Sequence, residues 1–340
     1  MQHTKILTVK TPAKLILCGE HAVVYGYPAL AIAVNLYTHT TVKWSSPLHF
    51  SFNLPGLDFR QKITLEALKR LKLNLNKQYE KFDSGDISIR EVLKHPFELT
   101  LYSAVSVLEK IKHTLPMGVS IHTESEIPMG CGMGSSAANV VSVIHALSEF
   151  LNIDFELDDY IRLGIKSENL QHGYSSGLDV HMVYHGGCIY YRPGQFETRE
   201  IPQFPMQLIN TGKPESSTGE CVSHTAAHFK DDSLGPKFAK ITNEMSAALN
   251  ENNSEKIKEL VRDNHRLLVN LGVVPTTVQN FITEIETHDM AAKICGAGAI
   301  SGEHAGVVMV IGEKDISAIA QKYGYKITAI QADTRGSHVV

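Results

Sequence analysis

The sequence predicts an α+β chain made of two domains. Its 340 residues exceed what one typical core holds, and 43% of them are apolar, enough to fill two. Residues 5–44 are rich in β-branched runs, whereas the later part of the chain alternates amphipathic helices with short apolar strands. A Pro-containing stretch at 192–205 marks the expected boundary, giving domains of 1–200 and 201–340.

Within 5–44, apolar runs at 6–9, 15–17 and 31–34 are broken by Gly19, Gly26 and Pro28, which reads as strand, turn and strand. Residues 1–9 alternate polar and apolar side chains with no continuous apolar run, so a first strand is expected there rather than an export signal. Leu, Lys and Arg at helical spacing predict a helix over 60–81, ended by the polar break 83–86. Pro96 precedes Phe97, Leu101, Ala104, Val105, Leu108 and Ile111, whose spacing lays one apolar stripe along a core-facing helix. A strand is predicted at 119–125, then a glycine-rich loop, then a helix carrying Ala137, Val140, Val141, Ile144, Leu147 and Leu151. After a short strand at 188–191, helices are expected near 235–249, 254–271 and 276–288. A glycine-rich turn, a strand at 307–311, a helix at 315–322 and a strand at 326–332 complete the chain.

Charge narrows the function. With 32 basic and 36 acidic side chains the chain lacks the positive field that nucleic-acid binding requires, and the lysines of 62–81 read as a solvated helix face. No stretch reaches the roughly 18 apolar residues of a membrane span. Cys18, Cys131, Cys188, Cys221 and Cys295 are odd in number and contain no Cys-x-x-Cys, which predicts a reduced, cytoplasmic protein without disulfides or a thiolate zinc site. His181 and His185 have the spacing of two metal ligands on one helix face, but no third ligand stands at a recognisable distance.

Four segments could carry chemistry. The strongest runs Pro128-Met129-Gly130-Cys131-Gly132-Met133-Gly134-Ser135-Ser136-Ala137-Ala138. Alternating glycines let backbone amides turn toward one point, and the helix that follows adds unpaired N–H groups and the positive end of its dipole, so phosphates bind there. The hydroxyls of Ser135 and Ser136 could reach a phosphate oxygen or magnesium. The plain alternative is a glycine turn with serine caps; P-loop and Rossmann patterns both fit poorly. The second segment, 12–26, places Lys14, Glu20 and His21 beside a strand end, where a lone lysine is usually a surface charge. The third joins Glu168 to His172-Gly173-Tyr174-Ser175-Ser176-Gly177-Leu178-Asp179; taken alone, such an aspartate is a helix cap. The fourth, 294–302, is a run of small residues that reads as a tight connection.

In this order the four segments resemble the GHMP kinases. The stretch from Lys14 through Gly19-Glu20-His21-Ala22-Val23-Val24-Tyr25-Gly26 to Val34-Asn35-Leu36-Tyr37-Thr38 is most similar to the mevalonate kinases among them. The resemblance implies a ribosomal protein S5 domain 2-like N-terminal domain, a ferredoxin-like C-terminal domain and an active site in the cleft between them. It implies ATP as phosphoryl donor, held by Pro128, Gly130, Gly132, Met133, Gly134, Ser135, Ser136 and Ala137, with Mg2+ on Ser136 and Glu168. Asp179 would be general base or orient the acceptor hydroxyl, Lys14 would stand beside it, and Glu20 and His21 would lie near the substrate mevalonate. Family members are often homodimers. Other readings are a phosphomevalonate or sugar kinase, or an inactive ligand sensor. The Gly-Glu-His segment argues against a sugar kinase, and Lys14, Glu168 and Asp179 together favour activity. Two departures from the family pattern stand out: Ser175 stands where proline is common, and Ala299-Ile300-Ser301 replace a run of glycines.

Overall fold

The computed structural model describes residues 5–45, 49–111, 115–230 and 234–340, so the start of the strand expected from residue 1 lies outside the described residues. The short runs expected in the opening join into two long strands, β1 (Ile6–Cys18) and β2 (Ala29–Ser45), paired antiparallel. Lys10-Thr11-Pro12 interrupts the apolar pattern without ending the strand, because a register shift at Pro12/Ala13 absorbs the proline. A hairpin of β3 (Phe50–Leu54) and β4 (Phe59–Ile63) follows, then α1 (Leu65–Asp83). The helix expected from residue 60 therefore starts five residues late: Thr64 accepts a hydrogen bond from Ala67 N at 3.2 Å and caps it. Buried Phe59 keeps the preceding residues in the sheet.

Next come α2 (Phe97–Leu108), β5 (Gly118–Ser125), α3 (Ser135–Leu151), α4 (Leu157–His172), α5 (Leu178–His185), β6 (Cys188–Arg192) and β7 (Gln195–Arg199). The apolar stripes of α2 and α3 pack on the first sheet, with Val105, Val140 and Ile144 against Val42, Phe52 and Ile121. The second half runs β8 (Met206–Gly212), α6 (Thr218–Lys230), α7 (Gly235–Asn250), α8 (Ser254–Asn270), α9 (Thr276–Glu286), β9 (Ala291–Cys295), β10 (Gly306–Ile311), α10 (Ser317–Tyr323) and β11 (Lys326–Ile330). Its sheet order, β11-β8-β10-β9, all antiparallel, is the ferredoxin-like arrangement. β8, α6 and β9 were not expected from the sequence. β9 reads Ala-Ala-Lys-Ile-Cys, and the lysine in its centre hides a strand buried along its whole length.

The chain then returns. β12 (His338–Val339) pairs with β1, and Val34 bridges Ala332, so the last residues of the expected 201–340 unit lie on the first sheet, whose main path is β12-β1-β2-β5-β3-β4. One apolar cluster also spans both halves, joining Leu15, Leu17 and Ile32 to Met206, Leu208 and Ile241. Among the described residues no helix is long and apolar enough to cross a membrane.

Burial holds His21, His145, His181 and His265 neutral, lowering each to about 4. The folded values lie below the unfolded one, so the unfolded chain binds protons that the native chain refuses. Stability is therefore full above pH ~6.5 and is lost as pH falls toward 4, by at most about 1.4 kcal/mol per pH unit for each imidazole. The urea midpoint should be lower at pH 5 than at pH 7.5; equal midpoints would contradict this account.

Candidate active site

The phosphate-loop candidate is the connection from β5 to α3. Gly130, Gly132 and Gly134 have φ of 71°, 84° and 68°, while Cys131 and Met133 between them stay out of the left-handed region. That alternation turns successive amides toward one side and forms an anion-binding concavity. α3 starts at Ser135, and no side chain caps its first turn, so free amides and the dipole face the same place. Ala137 is fully buried and seats the helix on the core, leaving Ser135 and Ser136 at the mouth and Pro128 and exposed Met129 at the rim.

The loop is pressed against the other half of the chain. A Cβ on Gly132 would lie 2.5 Å from Cys295 O and 3.1 Å from Gly296 Cα, and one on Gly306 would lie 2.8 Å from Cys131 O. The small residues after β9 are therefore more than a tight connection: they form the floor beneath the candidate phosphate loop.

Lys14, on β1, donates its backbone N–H to Met133 O at 3.0 Å, and its stem runs across Gly134, where a Cβ would meet Lys14 Cγ at 2.9 Å. Its ammonium ends 3.0 Å from Asp179 Oδ1; the lysine side chain is 4% exposed and the aspartate 33%. Asp179 is the second residue of α5 and makes no capping hydrogen bond, since left-handed Gly177 opens that helix. The ordinary reading of this aspartate as a cap is therefore replaced by an ion pair facing solvent on one side.

Glu168, on α4, is buried opposite. Its Oε2 accepts from Ser136 Oγ at 2.9 Å, while Oε1 is buried with no partner. Burial first, and the charge of Asp179 second, push its carboxyl up to about 8. His172, one helical turn on, lies 3.5 Å from Ser136 Oγ and 3.6 Å from Glu168 Oε2. A buried carboxylate oxygen without a partner, next to a hydroxyl at the mouth of an anion cradle, suits a hard divalent cation.

Residues 100–187 match the family model described as GHMP kinases N terminal domain. The mevalonate kinase of Pyrococcus abyssi is 30% identical over 305 residues, 86% of each chain. That of Thermococcus sibiricus is 31% identical over 300 residues, covering 84% of this chain and 85% of the relative. The chain belongs to the mevalonate kinase family. The crystal structure of the Methanococcus jannaschii mevalonate kinase shares its fold, with a TM-score of 0.81 at 23% identity over 97% of this chain and 99% of that one. The crystal structure of L. major mevalonate kinase in complex with R-mevalonate gives a TM-score of 0.70 at 18% identity, over 96% of this chain and 95% of that one.

In this mevalonate kinase family member the cleft gathers Lys14, the glycine loop, Ser136, Glu168 and Asp179, but it encloses Glu20. That carboxylate is 1% exposed, ion-paired through Oε1 with Lys293, and accepts from Asn264 Nδ2 at 3.1 Å through Oε2. His21, with φ 61°, places Nε2 3.1 Å from Ala297 O and Nδ1 3.3 Å from Thr225 Oγ1. Both residues tie the turn after β1 to the second half. His181 and His185 stack at 5.8 Å and lean on Phe196.

Sequence reading missed Lys213, which follows β8. Its Cε is 3.7 Å from where a Gly130 Cβ would stand, and it has no carboxylate partner among the described residues. Only the fold brings it over the loop; a lysine between glycine and proline carries no local signal.

Proposed function

We propose that the chain phosphorylates mevalonate with ATP, giving 5-phosphomevalonate. The observation that carries the reading is the Lys14–Asp179 pair, 3.0 Å apart, opening beside a glycine cradle on whose rim Ser136 and Glu168 meet. Phosphoryl transfer needs mainly in-line positioning and neutralisation of charge, and these residues supply both. The amides of 130–136 hold the nucleotide phosphates. Asp179 orients the acceptor hydroxyl and takes its proton, and the Lys14 ammonium places positive charge where negative charge gathers during transfer. Ser136 Oγ and Glu168 would hold Mg2+, which supplies charge neutralisation on the phosphates when bound. The five cysteines are buried thiols, which fits a reducing, cytosolic setting.

The test is ADP release by purified protein with magnesium and ATP, comparing mevalonate, phosphomevalonate, galactose and homoserine. Turnover with mevalonate alone is expected. Turnover with another acceptor would keep the kinase and move the substrate, whereas ATP binding without turnover would point to a ligand sensor.

A further inference from the structure

Lys293 is a charged residue where the fold should tolerate none. It sits in the middle of β9 with 0% exposure. Its ammonium donates to Ile16 O at 2.9 Å and to Glu20 Oε1, and Asn264 secures the other oxygen of Glu20. Burial works against the charge, but Glu20, joined by the neighbouring Cys295 and Cys18 sulfurs, more than offsets it and holds the lysine above its ordinary value. Such a pair adds little stability over apolar side chains of similar volume, because desolvation offsets the attraction. Stability therefore does not explain it.

Its connections do. Ile16 lies on β1 two residues beyond Lys14, and Glu20 directly precedes His21. Three residues beyond Lys293 along the chain, Gly296 supports Gly132 beneath the phosphate loop. One ammonium from the second half thus grips the strand of Lys14 and the turn of His21, while its own strand carries the floor of the cradle. Resting on the kinase reading above, we propose that Lys293 is a positioning residue for phosphoryl transfer, fixing the separation of the Lys14–Asp179 pair from the nucleotide phosphates. Glu20 serves it as anchor, so this glutamate acts at a distance from the acceptor.

The test compares the wild type with Lys293→Met, Glu20→Gln and the double variant. Each single variant leaves a buried charge or donor unpaired and should lower the thermal midpoint strongly. The double variant leaves no unpaired charge and should recover most of that midpoint, yet keep kcat at least about tenfold low while both KM values stay within about threefold, since small misplacements act on the transition state. Amide hydrogen exchange over 128–137, which needs no turnover, should be faster in the double variant. A well-folded double variant with wild-type kcat, or one whose loop exchanges as in the wild type, would overturn the proposal. If the wild type turned over no acceptor, the kinase reading would fail instead, and the exchange comparison alone would still decide what Lys293 does.

Discussion

Replacing Asp179 by asparagine should lower kcat by about two to four orders of magnitude, the range that positioned acid–base groups contribute. The change keeps the side chain's size and removes its charge. It also strips the Lys14 ammonium, 3.0 Å away and 4% exposed, of its ion-pair partner, so the cation loses its fixed position as well. The proposed nucleotide cradle is built from the backbone of 130–134 and from α3 and does not involve Asp179. KM for ATP should accordingly stay near the wild-type value while kcat collapses, as for an interaction made only in the transition state. Steady-state ADP release, with a thermal melt to establish folding, checks this. A folded variant with kcat within threefold of wild type would remove Asp179 from the chemistry.

Gly132→Ala should strike nucleotide binding. The added methyl would stand 2.5 Å from Cys295 O and 3.1 Å from Gly296 Cα, both backbone atoms with no rotamer to yield, and φ of 84° is itself strained for alanine. The two loops must separate, and the amides aimed at the phosphates turn with them. An increase of at least about tenfold in KM for ATP is expected, with about 1–3 kcal/mol lost from stability. Gly85→Ala is the control. Its φ is 83°, but nothing lies within 4 Å of the new methyl, so it carries the backbone strain without the collision. Gly85→Ala should leave KM for ATP unchanged; equal effects from both variants would mean that the approach of the two loops is irrelevant to the cradle.

What was legible in the sequence is what chemistry demands locally. Glycines at 130, 132 and 134 can be read because each stands at a positive φ that other residues avoid. Helices α7 to α10 of the second half could be read from their apolar spacing to within a few residues, whereas α6 could not. Contacts distant in sequence could not. Glu20 and Lys293 are separated by 273 positions, so nothing near Glu20 reveals that its carboxylate is enclosed rather than open to the cleft. The same lysine obscured β9. The helix expected at 60 failed because Arg60-Gln61-Lys62 suit a helix locally, whereas pairing of 59–63 with β3 decides the outcome. β12, two residues long, exists only because β1 offers it an edge.

That last strand governs the order in which the molecule can be made. β1 is synthesised well before the neighbour that covers its outer edge at Val9 and Lys10, which begins at residue 338. Throughout elongation the strand that carries Lys14 presents unpaired amides and carbonyls to other chains, the condition under which strands join wrong partners. Closure of that edge therefore waits on His338 and Val339, which are made long after the rest of the first sheet.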